Sequence, residues 1–207
     1  RRLNPLNTDH SANLGRLHRA WAEMTADPAL RSRRLAQASE YYRQATTLSP
    51  HAAHLQNEWA VVHLLAGDLE QAEAKLKRSL ELDQEFDQTY AHLGDLAREK
   101  GDWAEAEKQY KKALTLNPGL LQARSALALA YAQQGKLAEA IAENLEVLQR
   151  APNDLQTRRN LVILYQQTGQ LAESLAQARI LRDLTPEKER APLDQLIQEL
   201  EKQLGGS

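Results

Sequence analysis

The residues of this chain best suited to chemistry are six histidines and the carboxylates near them. His51 and His54 stand three apart, and His63 and His92 follow, which are the donors an imidazole metal site draws on. Coordination also needs a third or fourth group converging on the same point, and no residue at ligand spacing supplies it. His92 and Asp95 lie one helical turn apart and could pair as acid and base, yet neither a nucleophile nor oxyanion donors accompany them. "AYAQQGKL" carries the lysine of a phosphate loop, but Ala130 replaces its first Gly, Leu137 replaces its Ser/Thr, and no strand precedes it. The nucleophile-elbow, dinucleotide and zinc-protease patterns are absent, and with no cysteine there is no thiolate chemistry. The chain is therefore expected to be noncatalytic, with no cofactor or metal.

Charge narrows the partners. The net charge is -2, with 8 Lys/Arg against 4 Asp/Glu in residues 1–50 and 8 against 13 in residues 51–118. Arg31, Arg33 and Arg34 form a basic cluster, too few and without the interleaved aromatics of a nucleic-acid groove. Mean hydropathy is -0.62, and no stretch approaches the roughly 18 apolar residues of a membrane span, so neither nucleic acid nor direct membrane insertion of these residues is expected. No secretory signal or initiating Met is visible, and the composition leaves the compartment open.

The elements that must position these side chains are read from an internal period of 34. Positions 50, 84, 118, 152 and 186 are Pro, Gln, Pro, Pro and Pro, and Gly67, Gly101, Gly135 and Gly169 repeat in the same register. Leu69, Trp103, Leu137 and Leu171 follow two residues after each Gly, with Ala72, Ala106, Ala140 and Ser174 after those. Within each unit, apolar residues three or four apart predict two helices broken at the Gly, which ends the first in a left-handed turn. Asp68 and Asp102 are placed to cap the second helix, and Pro closes it. A helix pair of this kind cannot bury its apolar face alone, so successive pairs must stack.

Tyr90, Leu93, Gly94, Trp103, Ala106, Tyr110, Ala113 and Pro118 resemble the tetratricopeptide repeat pattern closely, and Leu127, Ala128, Tyr131, Gly135, Ala140 and Pro152, then Leu161, Tyr165, Gly169 and Pro186, match it in part. Asn144 and Ala178 stand where that family has an aromatic, and His63 replaces a Tyr. The resemblance implies an all-α, right-handed superhelix (an α-solenoid). Its segments are the end of an upstream repeat in 1–5, repeats over 6–50, 51–84, 85–118, 119–152 and 153–186, and a capping helix over 187–204, all in one domain. From Pro5 to Pro50 is one period plus 11 residues, and the surplus is expected between the two helices of the first pair, near "TADPALRSRRL", as a longer loop or an extra turn. Leu193, Leu196, Ile197, Leu200 and Leu204 give the capping helix one apolar face, and "GGS" reads as a flexible end or an expression remnant. The chain thus reads as finished near Leu204 and unfinished at Arg1.

The same resemblance implies that the first helix of each pair lines a concave face holding an extended peptide or a partner's helix. In this register that face carries His54, Gln88, Gln122 and Gln156, then Asn57, Ala91, Ser125 and Arg159, then Val61, Asp95, Leu129 and Ile163. His54, Asn57, Gln88, Asp95, Gln122, Ser125, Gln156 and Arg159 are the expected partner-binding residues. The Lys/Asn carboxylate clamp of chaperone-binding members is absent. "LNPLNTDHSANLGRLHRAWAE" further resembles the repeat-containing tail of bacterial O-antigen ligase or polymerase-like membrane proteins. That resemblance implies a scaffold tail meeting the glycan-assembly machinery, with the catalytic part elsewhere.

Overall fold

Four glycines mark the corners. Gly67, Gly101, Gly135 and Gly169 all have φ of 74 to 75°, a backbone region that side chains with a Cβ avoid, and each separates two helices. The computed structural model describes residues 7–205; the expected end of an upstream repeat at Leu3-Asn4-Pro5, and Gly206-Ser207, lie outside the described residues. Among the described residues every regular element is helical. The chain divides into two compact units, residues 1–118 and 119–207.

The first unit holds α1 (Thr8–Glu23), α2 (Pro28–Leu48), α3 (Ala53–Ala66), α4 (Leu69–Leu82), α5 (Asp87–Glu99) and α6 (Trp103–Leu116). The pairs α1/α2, α3/α4 and α5/α6 are antiparallel neighbours across short corners, and α3 also meets α5 across the pair boundary. The Asp68 and Asp102 carboxylates accept from the Gln71 and Glu105 N–H groups at 3.2 and 3.0 Å, satisfying a donor that each helix start would otherwise strand. Ala38, Ala72 and Ala106 are fully buried, and their small size lets the paired backbones approach.

Most of the 11-residue surplus of the first pair is helical. α2 is 21 residues long where α4 and α6 are 14, and α1 reaches 16, which leaves only Met24–Asp27 between them. The cause is local: Asp27 caps the Ala29 and Leu30 N–H groups and Pro28 occupies the first turn, where its missing N–H costs nothing. Residues 28–33 are exposed, so the added two turns extend beyond the packed part of the pair, which begins at Leu35.

The second unit holds α7 (Leu121–Gln133), α8 (Leu137–Arg150), α9 (Leu155–Gln167), α10 (Leu171–Leu184), a 3-10 turn over Glu187–Glu189, and α11 (Ala191–Gly205). The last helix covers α10: Leu200 is fully buried in a cluster with Val162, Leu175 and Ala178, and Leu196 and Ile197 pack on its edge. Arg182–Asp194 and Arg179–Glu201 ion pairs, both 2.7 Å, fix its rim, while Leu204 remains exposed.

Candidate functional site

One place in each pair is decided by two residues 16 apart, one on the first helix and one on the second. In α5/α6 they are Gly94 and Tyr110: the fully packed ring lies on the glycine, where a Cβ would collide with it. Gly15 and Tyr42 repeat the arrangement in α1/α2, with a Cβ at Gly15 falling 2.9 Å from the ring, the added turns having widened the spacing in sequence. The other pairs use Ala60 with Leu76 and Val162 with Ala178, so that a larger residue on one helix meets a smaller one on the other, the complementarity that dense packing requires. In α7/α8 the two are Ala128 and Asn144, and here the sum falls short.

In the first unit the tyrosines reach through to the face of the first helices and organise a polar network there. The Tyr42 hydroxyl donates to Glu58 Oε2 at 2.9 Å, and Arg16 grips the same carboxylate through two nitrogens at 2.7 and 2.8 Å. The Tyr110 hydroxyl donates to Asp95 Oδ1 at 2.9 Å, with Arg98 3.5 Å from that oxygen. Both phenols are pushed well above the ordinary tyrosine range, first by burial and then by the carboxylate beside each, and so remain donors. His92 Nδ1 lies 3.0 Å from Asn57 Oδ1, and burial pushes its pKa down against the pull of Asp95. Asp95 and His92 are each held by a structural partner, and these bonds tie α3 to α5 and α5 to α6.

The expected partner-binding residues separate by environment. Gln88, Gln122, Gln156 and Arg159 are exposed, and Ser125 is half-buried. His54 is exposed at the edge of a polar cleft beside Asn7, Asp9 and Ser49. Asn57 is a correction: it is 1% exposed and committed to His92, a brace beneath the surface. Its burial depends on a partner from the following pair, which the repeat period does not reveal. Asp95 is half-buried in its own network. Arg34 donates to the Trp21 carbonyl and to Thr25 Oγ1, which leaves Arg31 and Arg33 as the solvent-facing members of the basic cluster. His63 lies against the Trp59 ring at 5.9 Å with Nδ1 3.4 Å from Asp68. Among the described residues no three His, Asp or Glu side chains converge as metal ligands.

In the second unit the face of the first helices is more apolar. Leu129 on α7 and Ile163 on α9 occupy the same register and are 41% and 52% exposed, far more than packed residues of their type. Gln133 and Gln167 share a register beside them. Between α7, α8 and α9 lies a cavity of about 290 Å³ lined by Ala128, Leu129, Asn144, Asn160, Ile163 and Leu164 among others. Asn144 is 1% exposed; its Nδ2 donates to the Ala140 carbonyl at 2.7 Å, and its Oδ1 is buried without a partner. Asn144 departs from the repeat pattern in the sequence, but the signal for a cavity is its pairing with Ala128, where neither residue is large.

Two tetratricopeptide repeat profiles match residues 51–118 and 92–154, together 104 of the 207 residues. No curated protein matches the chain. Among solved structures it is similar to YrrB, a TPR protein with an unusual peptide-binding site, at 18% identity and a TM-score of 0.65, with 95% of this chain and 94% of that one covered. It is also similar to PilF of Pseudomonas aeruginosa (16% identity, TM-score 0.74, 93% and 88% covered) and to yeast Tom70 (15%, 0.75, 98% and 41%). At such identities the likeness speaks for the fold, and nothing among these matches favours the O-antigen ligase resemblance of residues 3–23. With glycine corners and stacked helix pairs in a 34-residue register, the chain belongs to the tetratricopeptide repeat family.

Proposed function

We propose that this protein is a noncatalytic scaffold that holds a peptide or protein partner on the face formed by the first helices of its pairs. The observation that carries the reading is the solvent-open Leu129 and Ile163 on adjacent first helices, rimmed by Gln122, Gln133, Gln156, Gln167 and Arg159. An apolar stripe with a polar border, repeated at the spacing of the helices, suits a ligand that crosses them, with the glutamines offering donors and acceptors to its backbone. In the first unit the corresponding face is stiffened by Arg16–Glu58 and Tyr110–Asp95, so a ligand meets a pre-ordered surface there as well. That YrrB is a TPR protein with a peptide-binding site is in keeping with this reading.

The test is a random-peptide selection against the full chain, followed by titration of a selected peptide onto the Ile163→Glu variant. Because Ile163 is exposed, the variant should keep its stability within about 0.5 kcal/mol. Affinity should fall about tenfold or more, the equivalent of roughly 1.4 kcal/mol. Unchanged affinity for every selected peptide would place binding elsewhere.

A further inference from the structure

The cavity between α7, α8 and α9 sits where the chain elsewhere places its own tyrosine. Asn144 follows Tyr110 by one period, and Ala128 follows Gly94. Leu129 stands in the register of Asp95, which receives the Tyr110 hydroxyl, and Asn160 in the register that carries Glu58 on α3, which receives that of Tyr42. The ring is missing, its carboxylate acceptors are replaced by Leu129 and Asn160, and Asn144, which lines the cavity, has a buried amide oxygen with no donor.

We propose that this cavity is a tyrosine socket: a partner peptide inserts a tyrosyl side chain from the first-helix face, hydroxyl first, and its O–H donates to Asn144 Oδ1. The inference rests on the peptide-binding reading above and names the anchor. A volume of about 290 Å³ suits one side chain, being at the lower end of what small-ligand pockets offer. The walls Ala128, Leu129, Ile163 and Leu164 receive the ring; Gln133 and Asn160 also line the cavity, the Asn160 Oδ1 accepting from Gln156 Nε2 at 3.0 Å. A lysine or arginine would bury charge in a lining that contains no carboxylate. A phenylalanine would fill the space but leave the Asn144 oxygen unpaired, the penalty that separates hydroxyl-reading sites from merely apolar ones. A tryptophan carries its N–H on the flank of the ring, away from the leading tip. All six tyrosines of these 207 residues lie within the described helices.

Two variants and two probes test this. N-acetyl-tyrosinamide and N-acetyl-phenylalaninamide are titrated into the full chain, read by the NMR shifts of the Asn144 side-chain amide and the Leu129 and Ile163 methyls. The tyrosine probe should bind at least about fivefold tighter and move the amide signal. Ala128→Gly/Asn144→Tyr restores the pair seen at Gly94 and Tyr110 and fills the socket from inside; Asn144→Leu copies the Ala60 and Leu76 pair and removes the acceptor. Both should abolish the tyrosine preference while circular dichroism stays helical. Peptides from the random selection should carry a tyrosine whose change to phenylalanine weakens binding about fivefold. Peptides that bind in an Ile163-dependent way with no tyrosine dependence would overturn the socket and leave the scaffold reading intact. Absence of any Ile163-dependent peptide would remove both. A dimer of the chain that Asn144→Leu dissociates would put a second copy in the cavity and also overturn the proposal.

Discussion

The α5/α6 and α7/α8 pairs are successive copies of one design with opposite interiors. In α5/α6 a glycine admits a buried tyrosine whose hydroxyl finishes on Asp95, so the space between the helices is closed and its polar tip is satisfied. In α7/α8 an alanine and an asparagine fill less volume, leaving an opening and an unpaired oxygen. The corners and the second-helix spans correspond, as Gly101 and Gly135 and the 14-residue α6 and α8 show. A repeat framework is therefore indifferent to this residue pair, which can be spent on cohesion in one copy and on a cavity in the next.

The largest effect should come from giving the closed pair the open pair's residue. Tyr110→Asn removes a fully packed ring and strips Asp95 of its donor, and should cost about 3–5 kcal/mol by the usual scale of aromatic truncations. Urea unfolding checks it; a loss under about 1 kcal/mol would mean the ring contributes little to the pair.

Smaller and opposite in origin is the exchange of glycine and alanine. Gly94→Ala should destabilise by about 1–3 kcal/mol, since its Cβ meets the Tyr110 ring, even though alanine is the better helix former. Ala128→Gly faces no ring and should cost only about 0.5–1 kcal/mol from helix propensity. Equal costs at the two sites would erase the distinction drawn between the pairs.

Acid should separate the units more gently. All six histidines lie in residues 1–118, and burial lowers the pKa of His18, His63 and His92 below the ordinary 6.5. A depressed histidine pKa means the unfolded chain takes the proton first. Its stability contribution is thus intact above about pH 6.5 and is lost as the pH falls from there to the folded value. Asp95 opposes the shift at His92 and Arg19 reinforces it. Hydrogen exchange compared at pH 7 and pH 5 should show protection falling in α1, α3 and α5 and holding in α7 to α10, after correction for intrinsic rates; the reverse order would contradict this assignment.

Least of all should follow from Gln122→Leu with Gln156→Leu. Both side chains are exposed, so the melting temperature should barely move, while each lost hydrogen bond should weaken a bound peptide by about 0.5–1.5 kcal/mol. Full retained affinity would take these two glutamines out of the binding surface.

Much of this architecture was legible in the sequence because single residues carry its corners: glycine for the left-handed turn, Asp68 and Asp102 for the caps, and proline after every second helix except α4. The helical nature of residues 28–34 was masked by counting against a fixed period, although Asp27-Pro28 is itself a helix-start signal. Asn57 was read as surface because its column holds Ala91, Ser125 and Arg159, side chains with no common environment. Its burial requires the rotation of one pair against the next, a tertiary quantity. The cavity was hidden for the same reason, since Ala128 and Asn144 are unremarkable singly and informative only when known to face each other.

The claim that these two positions act as one unit is tested most directly by a double-mutant cycle on Ala128 and Asn144, followed by equilibrium unfolding. Asn144→Tyr alone should destabilise by about 1–3 kcal/mol, because the Ala128 methyl occupies the ring's place, and Ala128→Gly alone by about 0.5–1 kcal/mol. The double variant should be at least as stable as the natural chain, a favourable coupling of at least about 1.5 kcal/mol. Simple addition of the two losses would contradict the account, for it would mean that the Gly94 and Tyr110 arrangement cannot be transplanted and that the cavity is not the vacated seat of a tyrosine.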